Sequence, residues 1–128
     1  TASGQSYNAY FQVKIKDKIG MNGLWVPSGY NNVYYSTARS MARFGLLMLN
    51  KGKWNTTSVL SDSNYFNAQV SSSQTLNNSY GYLTWLNGKS SHMLPGTQFI
   101  FNGKLILNAP DDMYAALGKN DQKMYVVT

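Results

Sequence analysis

The fold is decided by the stretch Tyr34-Tyr35-Ser36-Thr37-Ala38-Arg39-Ser40-Met41-Ala42-Arg43-Phe44-Gly45-Leu46-Leu47-Met48-Leu49-Asn50-Lys51-Gly52-Lys53-Trp54. This stretch holds a helix start, a helix period and a helix stop in order. Ser36 or Thr37 can cap the first turn with a side-chain oxygen that accepts a hydrogen bond from a free backbone N–H. Lys51 suits the negative end of the helix dipole, and Gly52 can take the left-handed conformation that ends a helix. The stretch therefore predicts one helix.

The expected apolar stripe of this helix recurs at three- and four-residue steps. Its members are Ala38, Met41, Ala42, Gly45, Met48 and Leu49. Arg39 and Arg43 are four residues apart and are expected on the opposite side.

Ser36–Trp54 also resembles a segment of the superfamily of serine β-lactamases, penicillin-binding proteins and esterases. The likeness is greatest to the branch with β-lactamase-like serine hydrolases and amide hydrolases that act on nylon oligomers. Tyr80–Lys89 and Ala109–Val127 extend the resemblance. In that superfamily the segment follows the catalytic serine. The resemblance thus implies that residues 1–128 are a single domain, the C-terminal portion of a larger serine hydrolase domain.

Composition is that of a globular chain with few charges. The 128 residues are 43% apolar and 12% charged, contain no glutamate, and carry a net charge of +6. A basic balance raises nucleic acid or an anionic envelope as partners. The densest basic run, Lys14–Lys18, lacks the arginine-rich pattern with interleaved aromatics of a nucleic-acid-binding face. The sequence favours a lysine-rich solvated surface and no nucleic-acid partner.

The absence of cysteine excludes a disulfide framework, a thiol nucleophile and a cysteine-based metal site. His92 is the only histidine, and it is expected in a surface loop rather than in a metal site. No apolar run approaches the roughly 18 residues that span a bilayer. These observations do not determine the cellular compartment. The resemblance favours a periplasmic or extracellular location, and it implies no metal or organic cofactor.

The chain before and after the first helix divides into helical and strand patterns. Tyr7–Ile19 fits both periods, and the resemblance favours a helix that ends in an Ile19-Gly20-Met21 turn. Asn22–Tyr35 is expected to be a connector with a short strand at Val33–Tyr35. Asp62–Val70 is expected to form a second, weaker helix capped by Ser61 or Asp62.

From Tyr80 onward the pattern alternates as in strands. The expected strands are Tyr80–Leu86, Thr97–Phe101, Lys104–Leu107, Met113–Leu117 and Lys123–Val127. Turns are expected at Asn87-Gly88, Asn102-Gly103 and Pro110–Asp112. Helices followed by strands indicate an α+β fold. The resemblance specifies a β-lactamase/transpeptidase-like fold, with N-terminal helices packed on a C-terminal antiparallel sheet.

A serine nucleophile needs an adjacent base, which this superfamily supplies in a Ser-x-x-Lys motif. The nearest imitation, Ser36-Thr37-Ala38-Arg39, ends in an arginine that cannot give up its proton, so capping is the expected role of Ser36. Asp111-Asp112 is expected to be a solvated turn rather than an acid–base pair. We therefore expect no catalytic residue in this chain, a nucleophile upstream of it, and no activity from this segment alone.

The loop Gly118–Gln122 is the best functional candidate. It resembles the Gly-x-x-Gly-Gln loop of the nylon-oligomer-hydrolase-like branch, where a backbone N–H helps to form the oxyanion hole. Carried over, Lys119 supplies that N–H and Asn120 lies beside it, whereas Asp121 replaces a glycine. A plain β-turn is the alternative from the residues alone. The resemblance adds Tyr82, Trp85, Asn120 and Gln122 as substrate-binding residues.

Two other functional classes fit the residues. One is a module that binds carbohydrate or cell-wall polymer through the aromatic strands. The other is a non-catalytic remnant that forms a homodimer through a sheet edge at Val127. The hydrolase interpretation names an amide or ester substrate and the remainder of the parent chain as partners.

Overall fold

The computed structural model describes residues 3–128, with only the backbone of Lys119, and has a mixed α+β architecture. The helices are α1 (Tyr7–Phe11), α2 (Asp17–Ile19), α3 (Ala38–Leu49) and α4 (Ser63–Gln69). The strands are β1 (Gly23–Ser28), β2 (Asn31–Ser36), β3 (Lys53–Trp54), β4 (Thr57–Ser58), β5 (Trp85–Leu86), β6 (Ser91–His92), β7 (Phe101–Asn102), β8 (Tyr114–Leu117) and β9 (Lys123–Val126). Within the described residues, 3–61 and 62–128 form two compact units. The α+β expectation is confirmed, and the single-domain expectation stays a prediction beside this division.

Residues 7–19 of the first unit are helical throughout, as expected. A π-helical segment, Gln12–Lys16, joins α1 to α2. The hydroxyl of Ser6 caps α1 by accepting a hydrogen bond from the backbone N–H of Ala9 at 3.2 Å. Gly20 ends the run in the left-handed conformation, with φ of 66°. The expected Ile19-Gly20-Met21 turn is therefore confirmed.

Within the expected connector over Asn22–Tyr35 the short strand at Val33–Tyr35 is confirmed as part of β2, but the rest is wrong, because the segment forms a β-hairpin. β1 pairs with β2 in an antiparallel register that sets Trp25 opposite Tyr34. The side chain of Asn8 holds the outer edge: its Oδ1 accepts from the N–H of Trp25 at 2.8 Å, and its Nδ2 donates to the carbonyl of Trp25 at 3.0 Å. Pro27 is tolerated within β1 because a proline disrupts least at an edge strand.

The central helix α3 is confirmed, and of its two expected caps Thr37 is the one used. The hydroxyl of Thr37 accepts from the N–H of Ser40 at 3.2 Å, so the expected capping role of Ser36 is wrong. Ser36 instead ends β2, and its hydroxyl donates to the carbonyl of Asn22. The buried residues of the helix are Ser40, Leu47 and Met48.

The expected stripe of α3 is thus out of phase, with Met48 its only buried member and Gly45 half-buried. Ala38, Met41, Ala42 and Leu49 are exposed. Arg43, expected on the solvent side, is half-buried and donates from Nη1 to the carbonyl of Ile19 at 2.9 Å. Apolar residues lie all around this helix, so periodicity alone did not select the face that packs.

The core of the first unit forms where α3 meets the end of α2. Ile19, Met21 and Leu47 are buried there. Partly buried neighbours pack around them: Phe11, Ile15, Tyr34, Phe44, Trp54, Val59 and Leu60. This packing explains why the helical period of residues 7–19 prevails over its strand-like alternation.

The second unit begins with α4, whose cap is the carboxylate of Asp62, accepting from the N–H of Tyr65 at 2.9 Å. The expected helix over Asp62–Val70 is confirmed. The main sheet of the second unit is antiparallel, with the strand order β5-β8-β9. The expected pair Met113–Leu117 and Lys123–Val127 is confirmed within one residue by β8 and β9.

Two expected strands of the second unit are wrong, and one is shorter than expected. Thr97–Phe101 contributes only Phe101 to a strand, which pairs with His92 in a two-stranded sheet. Lys104–Leu107 is not a strand, because the side chain of Asn87 holds this segment in an irregular path. Only residues 85–86 of Tyr80–Leu86 lie in β5.

No helix in the described part of the chain combines the length and the apolar character that crossing a membrane requires.

Candidate functional site

The turn between β8 and β9 is the first half of the candidate site. Leu117 pairs with Lys123, and the N–H of Gly118 donates to the carbonyl of Gln122 at 2.7 Å, which closes the turn. Asn120 and Asp121 both lie in the left-handed region, with φ of 57° and 64°. Asparagine and aspartate tolerate this region better than other residues with a Cβ. Asp121 therefore holds a backbone conformation that a glycine adopts without cost.

A second tight turn, over residues 80–85, is the other half of the candidate site. Tyr80 bridges to Trp85, and the N–H of Gly81 donates to the carbonyl of Thr84 at 2.8 Å. Leu83 lies within this turn at φ of 53° and is 84% exposed. A bulky apolar residue in the left-handed region is a backbone outlier that costs of order 1–3 kcal/mol. The second unit therefore presents a leucine to solvent at an energetic cost.

The sheet register brings these two turns to the same end. Trp85 pairs with Ala115, and β5 and β8 run antiparallel. The residues that precede Trp85 therefore extend toward the end of β8 at which residues 118–122 turn. Three non-glycine residues in the left-handed region gather at this end: Leu83, Asn120 and Asp121. We call this end, made by residues 81–84 and 118–122, the turn end of the sheet.

Tyr82 gives the turn end an aromatic surface. Its ring is 5.8 Å from the ring of Tyr65 on α4, at an interplanar angle of 34°. Tyr65 is 59% exposed and Tyr82 45% exposed. Sequence reasoning had identified Tyr82 but missed Tyr65 and Leu83. The helical pattern of residues 62–70 predicts Tyr65 on the apolar face with Phe66 and Val70, which is wrong for Tyr65, and no sequence signal marks a left-handed leucine.

The remaining expected site residues differ in exposure. Asn120 and Gln122 are exposed at the turn, and the Nε2 of Gln122 donates to the carbonyl of Asn120 at 3.5 Å. Trp85 is half-buried, and its ring packs edge-on against Tyr80 at 4.8 Å. This contact gives Trp85 a role in supporting the turn. Lys119 begins the short turn Lys119–Asp121, whose backbone is not helical because Asn120 and Asp121 are left-handed.

Electrostatics at the turn end centre on one ion pair. The Nζ of Lys123 is 2.5 Å from Oδ1 of Asp121. The hydrogen bond and the charge of Asp121 raise the pKa of Lys123. On β8, burial raises the pKa of Tyr114 to about 12, so this tyrosine stays neutral at physiological pH. The ion pair is open to solvent and therefore contributes little to stability.

The other polar candidates have structural roles. His92 lies in a strand, not in the expected loop: its Nδ1 is 2.9 Å from the carbonyl of Gly103, and its ring stacks on Phe101. Asp111 follows Pro110 in the expected turn and pairs with Lys104 at 2.6 Å. Among residues 3–128, no cluster of three or more histidine, cysteine, aspartate or glutamate side chains has an arrangement that would hold a metal ion.

Comparison with known proteins gives no relative: no family model, no curated protein and no solved structure matches this chain.

Proposed function

We propose that this chain is the C-terminal part of a serine hydrolase that cleaves an amide, an ester or a β-lactam through an acyl-serine intermediate. The observation that carries the proposal is the turn end of the sheet, where the register places Leu83, Asn120 and Asp121, all in left-handed conformations, at the same end of β5 and β8. Backbone strain of this kind gathers at binding and catalytic sites, where the surrounding structure maintains it. The resemblance of Ser36–Trp54 and of residues 118–122 to the superfamily supports the same assignment.

In this proposal the turn Gly118–Gln122 stabilises the charge that develops during acyl transfer. A nucleophilic serine in a Ser-x-x-Lys motif is supplied by the parent chain upstream. Lys119 is the first residue of the turn after Gly118, next to the left-handed Asn120 and Asp121. The N–H of Lys119 would then donate to the carbonyl oxygen of the substrate as it gains negative charge, which lowers the barrier.

Substrate contacts follow from exposure at the turn end. Asn120 and Gln122 offer amide groups that can donate to and accept from an amide or ester. Tyr82 offers a ring face on the neighbouring turn, and Trp85 holds that turn through its packing on Tyr80. The segment contributes scaffold and one side of the cleft, and it is catalytically silent alone.

The test is the intact mass of the longer chain encoded by the gene, after incubation with a fluorophosphonate or a penicillin. We expect one covalent adduct on the longer chain and none on residues 1–128 alone. The control replaces the serine of the upstream Ser-x-x-Lys motif with alanine and is expected to lose the adduct. A folded longer chain that stays unmodified by both probes would contradict the proposal.

A carbohydrate-binding module is the second candidate, and the exposed pair Tyr65–Tyr82 favours it. Tyrosine rings pack their apolar faces against the apolar face of a sugar while the hydroxyl stays solvated. We expect a chitin or peptidoglycan oligosaccharide, titrated into the isotope-labelled chain, to shift the amide resonances of Tyr82 and Leu83. Tyr82→Ala should weaken binding about three- to tenfold, and Tyr125→Ala, which removes an exposed tyrosine of β9, should not. Unchanged spectra at millimolar oligosaccharide would exclude this candidate.

A further inference from the structure

Two stretches of this chain match the acceptor pattern for N-linked glycosylation, which is an asparagine, any residue except proline, and then serine or threonine. They are Asn55-Thr56-Thr57 and Asn77-Asn78-Ser79. The pattern alone does not separate them, because each has an acceptable middle residue and a hydroxyl at the third position. The structure around each asparagine separates the two stretches.

Asn55 lies at the tip of the β3–β4 hairpin. Trp54 pairs with Thr57, so Asn55 and Thr56 are the two residues of the turn. Asn55 has a φ of 52°, as the first residue of a tight hairpin turn often does. Asn55, Thr56 and Thr57 are all exposed. A bulky group on the Nδ2 of Asn55 therefore extends into solvent and displaces no packed residue.

Asn77 is built into the second unit instead. It is 8% exposed, and its Oδ1 accepts from the N–H groups of Ser79 and Met93, each at 3.2 Å. The backbone N–H of Asn77 donates to Oε1 of Gln74 at 2.9 Å. Ser79 is fully buried, and its hydroxyl donates to the carbonyl of Ser91 at 2.8 Å. A glycan on the Nδ2 of Asn77 has no room beside this nearly buried side chain, so it would force open the packing that these hydrogen bonds hold.

We propose that Asn55 is an N-glycan acceptor site of this chain and that Asn77 is not. The donor is an oligosaccharide joined through a diphosphate to a polyprenyl lipid. The Nδ2 of Asn55 attacks C1 of the reducing sugar, the bond from C1 to the diphosphate oxygen breaks, and the polyprenyl diphosphate leaves with the electron pair. The nitrogen loses one proton, and the reaction requires no oxidant or reductant. Thr57 supplies the hydroxyl that the transferase recognises.

The experiment is secretion of residues 1–128 behind a signal peptide from a yeast or mammalian host, with intact mass measured before and after treatment with peptide N-glycosidase. We expect most molecules to carry one enzyme-removable glycan, with deamidation on removal mapped to Asn55 and not to Asn77. Asn55→Gln and Thr57→Ala should each abolish the glycan, whereas Thr57→Ser should retain it. Circular dichroism of the secreted variants would establish that they are folded.

Two outcomes would overturn this assignment. One is a folded, secreted chain of unmodified mass. The other is a glycan that persists in Asn55→Gln or maps to Asn77. The three variants at Asn55 and Thr57 change exposed side chains of the β3–β4 hairpin, so none of them is expected to prevent folding.

Discussion

Replacing Asn87 with alanine is expected to lower the free energy of unfolding of the second unit by about 3–5 kcal/mol. Asn87 is 2% exposed. Its Nδ2 lies 3.1, 3.2 and 2.9 Å from the carbonyl oxygens of Ile106, Ala109 and Pro110, and its Oδ1 accepts from the N–H of Ile106 at 2.9 Å. Alanine removes all of these partners at once. The N–H of Ile106 would then lack its acceptor in a partly buried position, which costs more than the loss of an exposed hydrogen bond.

The matched control for Asn87 is Asn108→Ala, an exposed asparagine of the segment that Asn87 holds. We expect this control to change stability by no more than about 0.5 kcal/mol. Denaturant unfolding followed by circular dichroism measures both variants. Hydrogen exchange then locates the effect, because the amide of Ile106 should lose protection in Asn87→Ala. Equal stabilities of the two variants would contradict the clamping role of Asn87.

Asn87 also marks a limit of sequence reasoning in this chain. Asn87-Gly88 was correctly expected to turn after a strand, because local propensity determines tight turns. The contacts of Asn87 with residues 106–110 depend on tertiary structure, which no short-range pattern reports. The same contacts hold the segment over which the sequence predicted the strand Lys104–Leu107. The long-range contacts of a single side chain therefore prevent the strand that the local pattern predicted.

Elements with local determinants were predicted well. The helix after Thr37, the helix after Asp62 and the pair β8–β9 each have a cap or a turn within their own sequence. The strand at Val33–Tyr35 was predicted, but β1 and its pairing with β2 were missed because Pro27 and the asparagines near the tip of the hairpin favour a connector. Its register depends on Trp25 packing against Phe11, which belongs to another element. Local signals fix where elements begin, and tertiary contacts fix which faces are buried.

The candidate site was likewise predictable only where local sequence determines its structure. The turn Gly118–Gln122 was identifiable from its residues and its resemblance, and Asp121 there was a departure from the expected glycine. The left-handed φ of Asp121 shows how aspartate can replace the expected glycine, because the backbone takes the glycine-like conformation with aspartate in place. The convergence of this turn with Tyr82 and Leu83 depends on sheet order, which the sequence does not encode locally.

Replacing Gly52 with alanine is expected to destabilise the first unit by about 2–5 kcal/mol, the sum of a conformational cost and a steric cost. Gly52 has a φ of 84° after the end of α3, and its N–H donates to the carbonyl of Leu47 at 2.9 Å. A Cβ added to Gly52 would lie 2.6 Å from Cβ of Leu60 and 2.7 Å from its carbonyl oxygen. Neither atom can move without shifting the backbone of Leu60, whose N–H donates to the carbonyl of Gly52 at 3.0 Å.

Gly29→Ala separates the two costs. Gly29 also has a positive φ, 60°, but an added Cβ there meets no atom within 4 Å. The control should therefore lose only the conformational part, about 1–2 kcal/mol. Denaturant unfolding followed by tryptophan fluorescence measures both variants, with Trp54 close to the site of the change. An equal loss in the two variants would mean that Leu60 yields without cost, and the close approach of Gly52 to Leu60 would then contribute nothing to the packing that ends α3.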